Sequence, residues 1–268
     1  MDQPFSEMFQ IRWHDLDGYN QVRSATLMRY IEQTANNLSI ATGFGVEWYA
    51  QQGTAFVMRS FQLQWVGAAA YQDTLTIATW VSSSQRVRLC LDFEIRHTNG
   101  TPVAVARSEW VHINRHTRRP QPFAPMLLTT WPSGAASPLW QELPPHNHTD
   151  QIYDPSMQLH PVFGYDAESL GVTSFAVYAL WLEEAAHLAL LQQGYPLCFP
   201  NPEGLGSRLA LHKLELQYLA PTRPGDSLTI STLYVGTNAA TNMITVEQKI
   251  HGADTAECLR ATLYCQIR

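Results

Sequence analysis

The sequence presents the same succession of segments twice, about 151 residues apart. The acidic triplet Asp15-Leu16-Asp17 recurs as Asp166-Ala167-Glu168, an offset of 151 residues (168 − 17). Glu32 recurs as Glu183 at the same offset (183 − 32). A chain of 268 residues that repeats itself in this way predicts an internal duplication of one structural unit.

Each copy predicts a short strand, an acidic loop, a long amphipathic helix and about four antiparallel strands. In the first copy, the segment 11–37 predicts a strand from Ile11, an acidic loop, and a helix capped by Ser24 and ended by Gly43. The further strands are predicted at 55–66, 74–81, 88–97 and 103–114, with Asn99-Gly100 as a hairpin turn. The second copy predicts a strand at 162–165, a loop at 166–172, a helix at 174–191, and strands at 209–219, 227–235, 241–251 and 256–267.

A Pro-rich stretch separates the two copies. It predicts a connection at 132–158 between an N-terminal repeat at 1–131 and a C-terminal repeat at 159–268. In each repeat the sheet would curl around the long helix, and the two repeats would pair as a homodimer does. His146 and His148 in the connection lie close in sequence, but no further ligands accompany them, so we expect no metal site.

Composition excludes several classes of function. The net charge of −6 argues against non-specific nucleic-acid binding. No apolar run is long enough to predict a membrane span, and the first ten residues do not have the pattern of a signal peptide. The four cysteines, none in CxxC spacing, are expected to be reduced thiols of a cytoplasmic protein: Cys90, Cys198, Cys258 and Cys265.

Two segments of the first repeat have a recognisable pattern: IRWHDLDGYNQVRSATLMRYIEQTA and TWVSSSQRVRLCLDFEIRHTNGTPVAVARSEWVHINRHTRRP. The former resembles the opening of the acyl-ACP thioesterase family, and the latter resembles its most recognisable block. The chain therefore resembles this family, most clearly over residues 11–131. A wider hotdog pattern shows in the second repeat at Glu168, Gly171, Tyr178 and Glu183.

The resemblance has clear implications. The fold class would be α+β, a tandem double hotdog. The activity would be hydrolysis of a fatty acyl thioester, with acyl carrier protein or CoA as the thiol and no metal or redox cofactor. A homodimer is a further expectation.

The second repeat departs from the plant-type members of the family. Their Asp, Asn and His before the helix, and their Glu-Cys pair on a later strand, are here Glu168, Leu170, Val172, Leu219 and Ala220. Aliphatic side chains cannot transfer a proton or hold water. A degenerate module that binds acyl-ACP or acyl-CoA without cleavage is therefore the alternative. Dehydration of a 3-hydroxyacyl thioester ranks last, since neither acidic loop has a histidine after its key carboxylate.

The first repeat retains the polar groups. Asp17 falls where simpler hotdog thioesterases, of the 4-hydroxybenzoyl-CoA type, have their catalytic aspartate. The resemblance therefore implies that Asp17 is the base or nucleophile and that Asn20 and Gln21 orient it. Glu168 is the second catalytic candidate, or else a capping carboxylate. Glu183 in the second helix is a weaker candidate.

Two further groups have alternative interpretations. Arg115, Arg118 and Arg119, with His116, would contact the phosphates of CoA or phosphopantetheine, or the acidic surface of acyl carrier protein. They could equally be a solvated strand end. An aromatic stripe belongs to the core or lines an acyl channel: Trp65, Trp80, Trp110, Tyr178 and Trp181.

Overall fold

The structure is a computed structural model that describes residues 3–143, 156–158, 161–197, 207–238 and 241–268. The chain forms two compact units. The first comprises Met1–Asp15 and Thr26–Trp140, and the second comprises Leu16–Ala25 and Gln141–Arg268. The predicted boundaries at residues 131 and 158 stay predictions.

The first unit combines a long helix with an antiparallel sheet. It contains α1 (Ser24–Ala41) from Thr26 onward, α2 (Val46–Gln52) and α3 (Pro125–Thr130). Its strands are β1 (Phe5–Gln10), β2 (Thr54–Trp65), β3 (Thr74–Gln85), β4 (Arg88–His97) and β5 (Pro102–Asn114), in the order β1-β3-β4-β5-β2. Leu27, Ile31 and Leu38 of α1 are at most 1% exposed, so this predicted amphipathic helix buries an apolar face.

The second unit repeats this plan. It contains α4 (Phe175–Gln192) and the strands β6 (Ser156–Gln158), β7 (Leu209–Tyr218), β8 (Thr229–Asn238), β9 (Met243–His251) and β10 (Glu257–Ile267). The strand order is β7-β10-β9-β8-β6. The two orders match strand for strand, with β3, β4 and β5 equivalent to β8, β9 and β10. The predicted duplication is therefore confirmed at the level of the fold.

The predicted first strand of each repeat is wrong. In the first repeat the strand is Phe5–Gln10, and a short 3₁₀ helix follows Arg12. In the second repeat Gly164–Asp166 is likewise a 3₁₀ helix. The reason is local, because an aspartate accepts the backbone N–H three residues before it. Asp15 Oδ2 lies 2.8 Å from the N–H nitrogen of Arg12, and Asp166 Oδ2 binds the preceding turn in the same way. These bonds bend a chain that alternation alone marks as extended.

The helices in the described ranges are each too short or too polar to cross a lipid bilayer.

Candidate active site

The acidic loop of the first repeat is folded so that it holds the Asp17 carboxylate. A backbone hydrogen bond of 2.8 Å from the Asp17 N–H to the Gln21 carbonyl closes the loop. Asp17 Oδ1 accepts the N–H groups of Tyr19 and Gln21, each at 2.8 Å. Asn20 adopts the left-handed conformation (φ 59°), which asparagine tolerates better than most residues. Within the described residues, Oδ2 of Asp17 accepts no hydrogen bond.

The second repeat builds the same loop around Glu168. The Glu168 N–H donates to the Val172 carbonyl at 2.9 Å, and Gly171 (φ 72°) stands where the first repeat has Asn20. The residues around this carboxylate differ, because the neighbouring Leu170 is 57% exposed and apolar. The backbone of the loop is therefore duplicated, whereas its polar side chains are not.

A cavity of about 250 Å³ lies in the second unit and includes Asp17. Its polar wall comes from the loop and from α4: Asp17, Gly18, Tyr19, Arg23, Glu183, Glu184 and His187. Its apolar wall comes from Leu180 of α4 and from alternate residues of β7 and β10: Leu209, Leu211, Leu263 and Cys265. Side chains two apart on a strand share a face, so each of the two strands presents apolar side chains to the cavity.

Glu183 is the most strongly perturbed carboxyl group of the cavity. Its Oε1 is buried and has no hydrogen-bond partner in the described part of the chain. The pKa of Glu183 is raised to about 7, mainly by burial and also by the charge of Asp17, while a hydrogen bond with Ser24 and the charge of Arg23 lower it. This carboxyl group shares one small cavity with Asp17 and Glu184.

His187 and Arg23 also line the cavity. His187 follows Glu183 by one helical turn and is 8% exposed, and burial lowers the pKa of its imidazole. Arg23 donates its Nε–H to the Leu16 carbonyl at 2.8 Å, which fixes the guanidinium beside the loop. Burial, and then the charge of Glu183, raise the pKa of the Cys265 thiol. The Cys265 thiol therefore stays uncharged where it lines the cavity.

The cavity contains some of the predicted site residues and lacks others. Asp17 and Glu183 line it, whereas Asn20, Gln21 and Glu168 are not among the lining residues. Gln21 acts on Asp17 through its backbone N–H rather than its side chain. The aromatic stripe does not contribute to the lining either; Trp80 is buried and donates its indole N–H to the Ala135 carbonyl at 2.8 Å.

Sequence reasoning missed His187. The duplication gives no hint of it, because the residue 151 positions earlier (187 − 151) is Asn36. The only available signal was helical spacing, since residues four apart lie on the same face of a helix.

The predicted basic patch lies on an exposed turn of the first unit. Asn114 Oδ1 accepts the N–H groups of His116 and Thr117 at 3.0 and 2.9 Å, and Arg118 adopts the left-handed conformation. This tight turn leaves Arg115, Arg118 and Arg119 exposed to solvent.

The described residues contain no cluster of three or more His, Cys, Asp or Glu side chains that could hold a metal ion. His146 and His148 lie outside the described residues.

Comparison with known proteins agrees with this architecture. Residues 2–130 match the model of the acyl-ACP thioesterase N-terminal domain, and residues 170–259 match that of the thioesterase superfamily. A search of curated proteins finds no match.

Solved structures with the same fold span nearly the whole chain. A provisionally named oleoyl thioesterase from Lactobacillus plantarum is 18% identical, with 99% of this chain and 96% of that chain covered and a TM-score of 0.80. A 12:0-ACP thioesterase from Umbellularia californica is 15% identical (98% and 94% covered, TM-score 0.77). An acyl-ACP thioesterase from Bacteroides thetaiotaomicron is 16% identical (97% and 97% covered, TM-score 0.74).

These likenesses confirm the predicted α+β tandem double hotdog. With one family model on each repeat, the first repeat is similar to the acyl-ACP thioesterase N-terminal domain and the second is similar to the thioesterase superfamily.

Proposed function

We propose that the protein hydrolyses the thioester of a fatty acyl chain carried by acyl carrier protein or CoA, and that the reaction takes place in the cavity that contains Asp17. The products are a free fatty acid and a thiol. One observation carries the proposal: a carboxylate oriented by two backbone N–H groups lines the same cavity as apolar side chains of β7 and β10. A fatty acyl thioester presents a polar carbonyl and an apolar chain, which matches these two walls. The match of each repeat to a thioesterase family model favours hydrolysis over binding without cleavage.

Asp17 is the proposed base or nucleophile. Its Oδ2 is the oxygen available to activate water or to attack the thioester carbonyl, because Oδ1 is engaged by the loop. Ser24 and Ala25 at the start of α1 belong to the same unit as the cavity, and N–H groups at the start of a helix, which lack partners inside it, can stabilise the developing oxyanion. Asn20 and Gln21 orient Asp17 by shaping the turn. Glu168 is the second candidate for the same role.

The size of the cavity limits what it can hold. At about 250 Å³ it lies just below the range of about 300–1,000 Å³ that is typical of ligand sites. We therefore expect it to enclose the thioester group and the first carbons of the acyl chain rather than a whole long chain.

Arg115, Arg118 and Arg119 are the proposed contact for the phosphate groups of the thiol carrier or for the acidic surface of acyl carrier protein. Replacing Arg118 by an acidic residue should raise KM for acyl-ACP and make this KM depend less on the salt concentration. It should leave KM unchanged for an acyl-N-acetylcysteamine, which has no phosphate. An equal change for both substrates would contradict this role.

The experiment that tests the function is a thiol-release assay with purified protein and acyl-ACP or acyl-CoA of several chain lengths. Asp17→Asn should lower kcat/KM at least about 100-fold, the usual contribution of a general base. Glu168→Gln should retain most of the activity. Glu47→Gln, an exposed helical glutamate outside the cavity, is the matched control.

Three results of this assay would contradict the proposal. Tight binding without thiol release would favour the binding module. Loss of turnover only in Glu168→Gln would move the chemistry to the loop of the second repeat. Full activity of Asp17→Asn would remove Asp17 from the mechanism.

A cytoplasmic location and a homodimer are also proposals. Cys90, Cys258 and Cys265 are free thiols, as expected in a reducing compartment, whereas Cys198 lies outside the described residues. Light scattering coupled to size exclusion measures the oligomeric state, and a mass of 30.2 kDa would show a monomer.

A further inference from the structure

We propose that Glu183 is the general acid that protonates the leaving thiolate during hydrolysis. This inference rests on the proposed function, in which Asp17 begins the reaction in the same cavity. It assigns a separate role to a second carboxyl group, one that belongs to the other repeat of the duplicated sequence.

The position of Glu183 supports this role. It lies on the face of α4 that also carries Leu180 and His187, residues three and four positions away, and all three line the cavity with Asp17. Oε1 of Glu183 is buried and unpartnered in the described part of the chain. A buried polar atom without a partner costs stability, so its retention at a cavity suggests that a ligand supplies the missing partner. The protonated carboxyl can donate there to a sulfur atom.

The charges around Glu183 favour a carboxyl that keeps its proton near neutral pH. Burial is the largest cause of its raised pKa of about 7, and Asp17 adds to it. The groups that face Glu183 are Asp17, Arg23 and Ser24 from the loop and the start of α1, Glu184 and His187 from its own helix, and Cys265 from β10. Only Arg23 among them carries a fixed positive charge.

The other titratable groups of α4 suit the role less well. Burial lowers the pKa of His187, which disfavours the protonated imidazolium that would act as an acid. Glu184 is exposed to solvent. Glu183 therefore has the environment that a general acid requires, namely a proton retained at the working pH and a position inside the cavity.

The reaction balances with these two groups. Asp17 takes a proton from water while the water oxygen bonds to the carbonyl carbon. The C–S bond then breaks, its electron pair goes to sulfur, and Glu183 gives its proton to that sulfur. Fatty acid and thiol leave, and the proton on Asp17 passes to Glu183, directly or through water, which restores both groups.

The test compares two leaving groups in the wild-type protein and in Glu183→Gln. The alkyl thiolate that leaves acyl-CoA is a strong base and needs protonation as it leaves. The thiolate of an acidic aryl thiol, as in an acyl 4-nitrothiophenol ester, is stable and does not. Glu183→Gln should lower kcat for acyl-CoA at least about 100-fold and kcat for the aryl thioester less than about tenfold. The wild-type kcat for acyl-CoA should fall as pH rises through about 7, and this fall should be missing in Glu183→Gln.

Controls separate this inference from the proposed function. Asp17→Asn should lower kcat for both substrates, because both require an activated water or nucleophile. Glu183→Asp, which keeps an acid, should recover part of the acyl-CoA activity, and Glu47→Gln should resemble the wild type. Equal losses for both leaving groups in Glu183→Gln, with an unchanged pH profile, would overturn the role of Glu183 and leave that of Asp17 intact. Unchanged activity of Asp17→Asn would instead overturn the proposed function.

Discussion

Replacing Glu183 by glutamine should change how the stability of the protein depends on pH. In the folded protein burial raises the pKa of Glu183 from its ordinary value of 4.5 to about 7. Between these two values the folded state keeps a proton that the unfolded state has released. The free energy of unfolding must therefore fall as pH rises through this window, since unfolding releases the proton.

The size of the effect follows from the two pKa values. A separation of about 2.5 pH units corresponds to about 3 kcal/mol, at about 1.4 kcal/mol per unit. Glutamine does not titrate, so Glu183→Gln should lack this loss. The difference in stability between variant and wild type should therefore grow by about 3 kcal/mol from pH 4 to pH 8, in favour of the variant. Any effect of the glutamine amide on stability that does not depend on pH is the same at pH 4 and pH 8, so it cancels in this comparison.

Urea denaturation at constant ionic strength, from pH 4 to pH 8, measures this difference. Most of the change should occur between pH 4.5 and about 7. Glu47→Gln removes an exposed helical carboxylate and should follow the wild type at every pH. A difference between Glu183→Gln and wild type that stays constant over the whole range would refute the reasoning, because it would mean that Glu183 is ionised in the folded protein.

Three other predictions concern the scaffold and the cavity. Asp92→Ala should lower the free energy of unfolding by about 3 kcal/mol in urea denaturation, since Asp92 is fully buried and pairs with Arg107 at 2.6 and 2.9 Å; a loss below about 1 kcal/mol would contradict this. Asn20→Val should cost about 1–2 kcal/mol in the same assay because φ is 59° there, whereas Asn20→Gly, which copies Gly171, should cost nothing; equal costs would argue against backbone strain. Leu211→Trp should fill the cavity and raise KM for acyl thioesters without loss of fold by circular dichroism; an unchanged KM would exclude Leu211 from the substrate site.

Much of the fold could be predicted from the sequence because the duplication constrains it twice. The helix and the alternating strands of one repeat support those of the other, and their bounds agree with the structure within a few residues. The first strand of each repeat was placed wrongly because the turn at Asp15 depends on one side-chain hydrogen bond, which no periodic pattern reveals.

The candidate site could be predicted only in part. Asp17 could be predicted from the sequence because its loop is a local motif with recognisable neighbouring residues. Glu183 was a weaker candidate, but its place beside Asp17, like that of His187, could not be predicted, because both residues lie more than 160 residues later in the chain and reach the loop only through tertiary packing. The raised pKa of Glu183 depends on burial. The sequence of a helix does not reveal how deeply one of its carboxyl groups is buried.

The most direct test of the central claim is a crystal structure with a non-hydrolysable acyl-CoA analogue in which a methylene replaces the thioester sulfur. The account predicts that the analogue's carbonyl carbon lies about 3–3.5 Å from Asp17 Oδ2 or from a water bound to it, and that its first carbons contact Leu209, Leu211 or Leu263. A carbonyl carbon beside Glu168, with the Asp17 cavity empty, would contradict it.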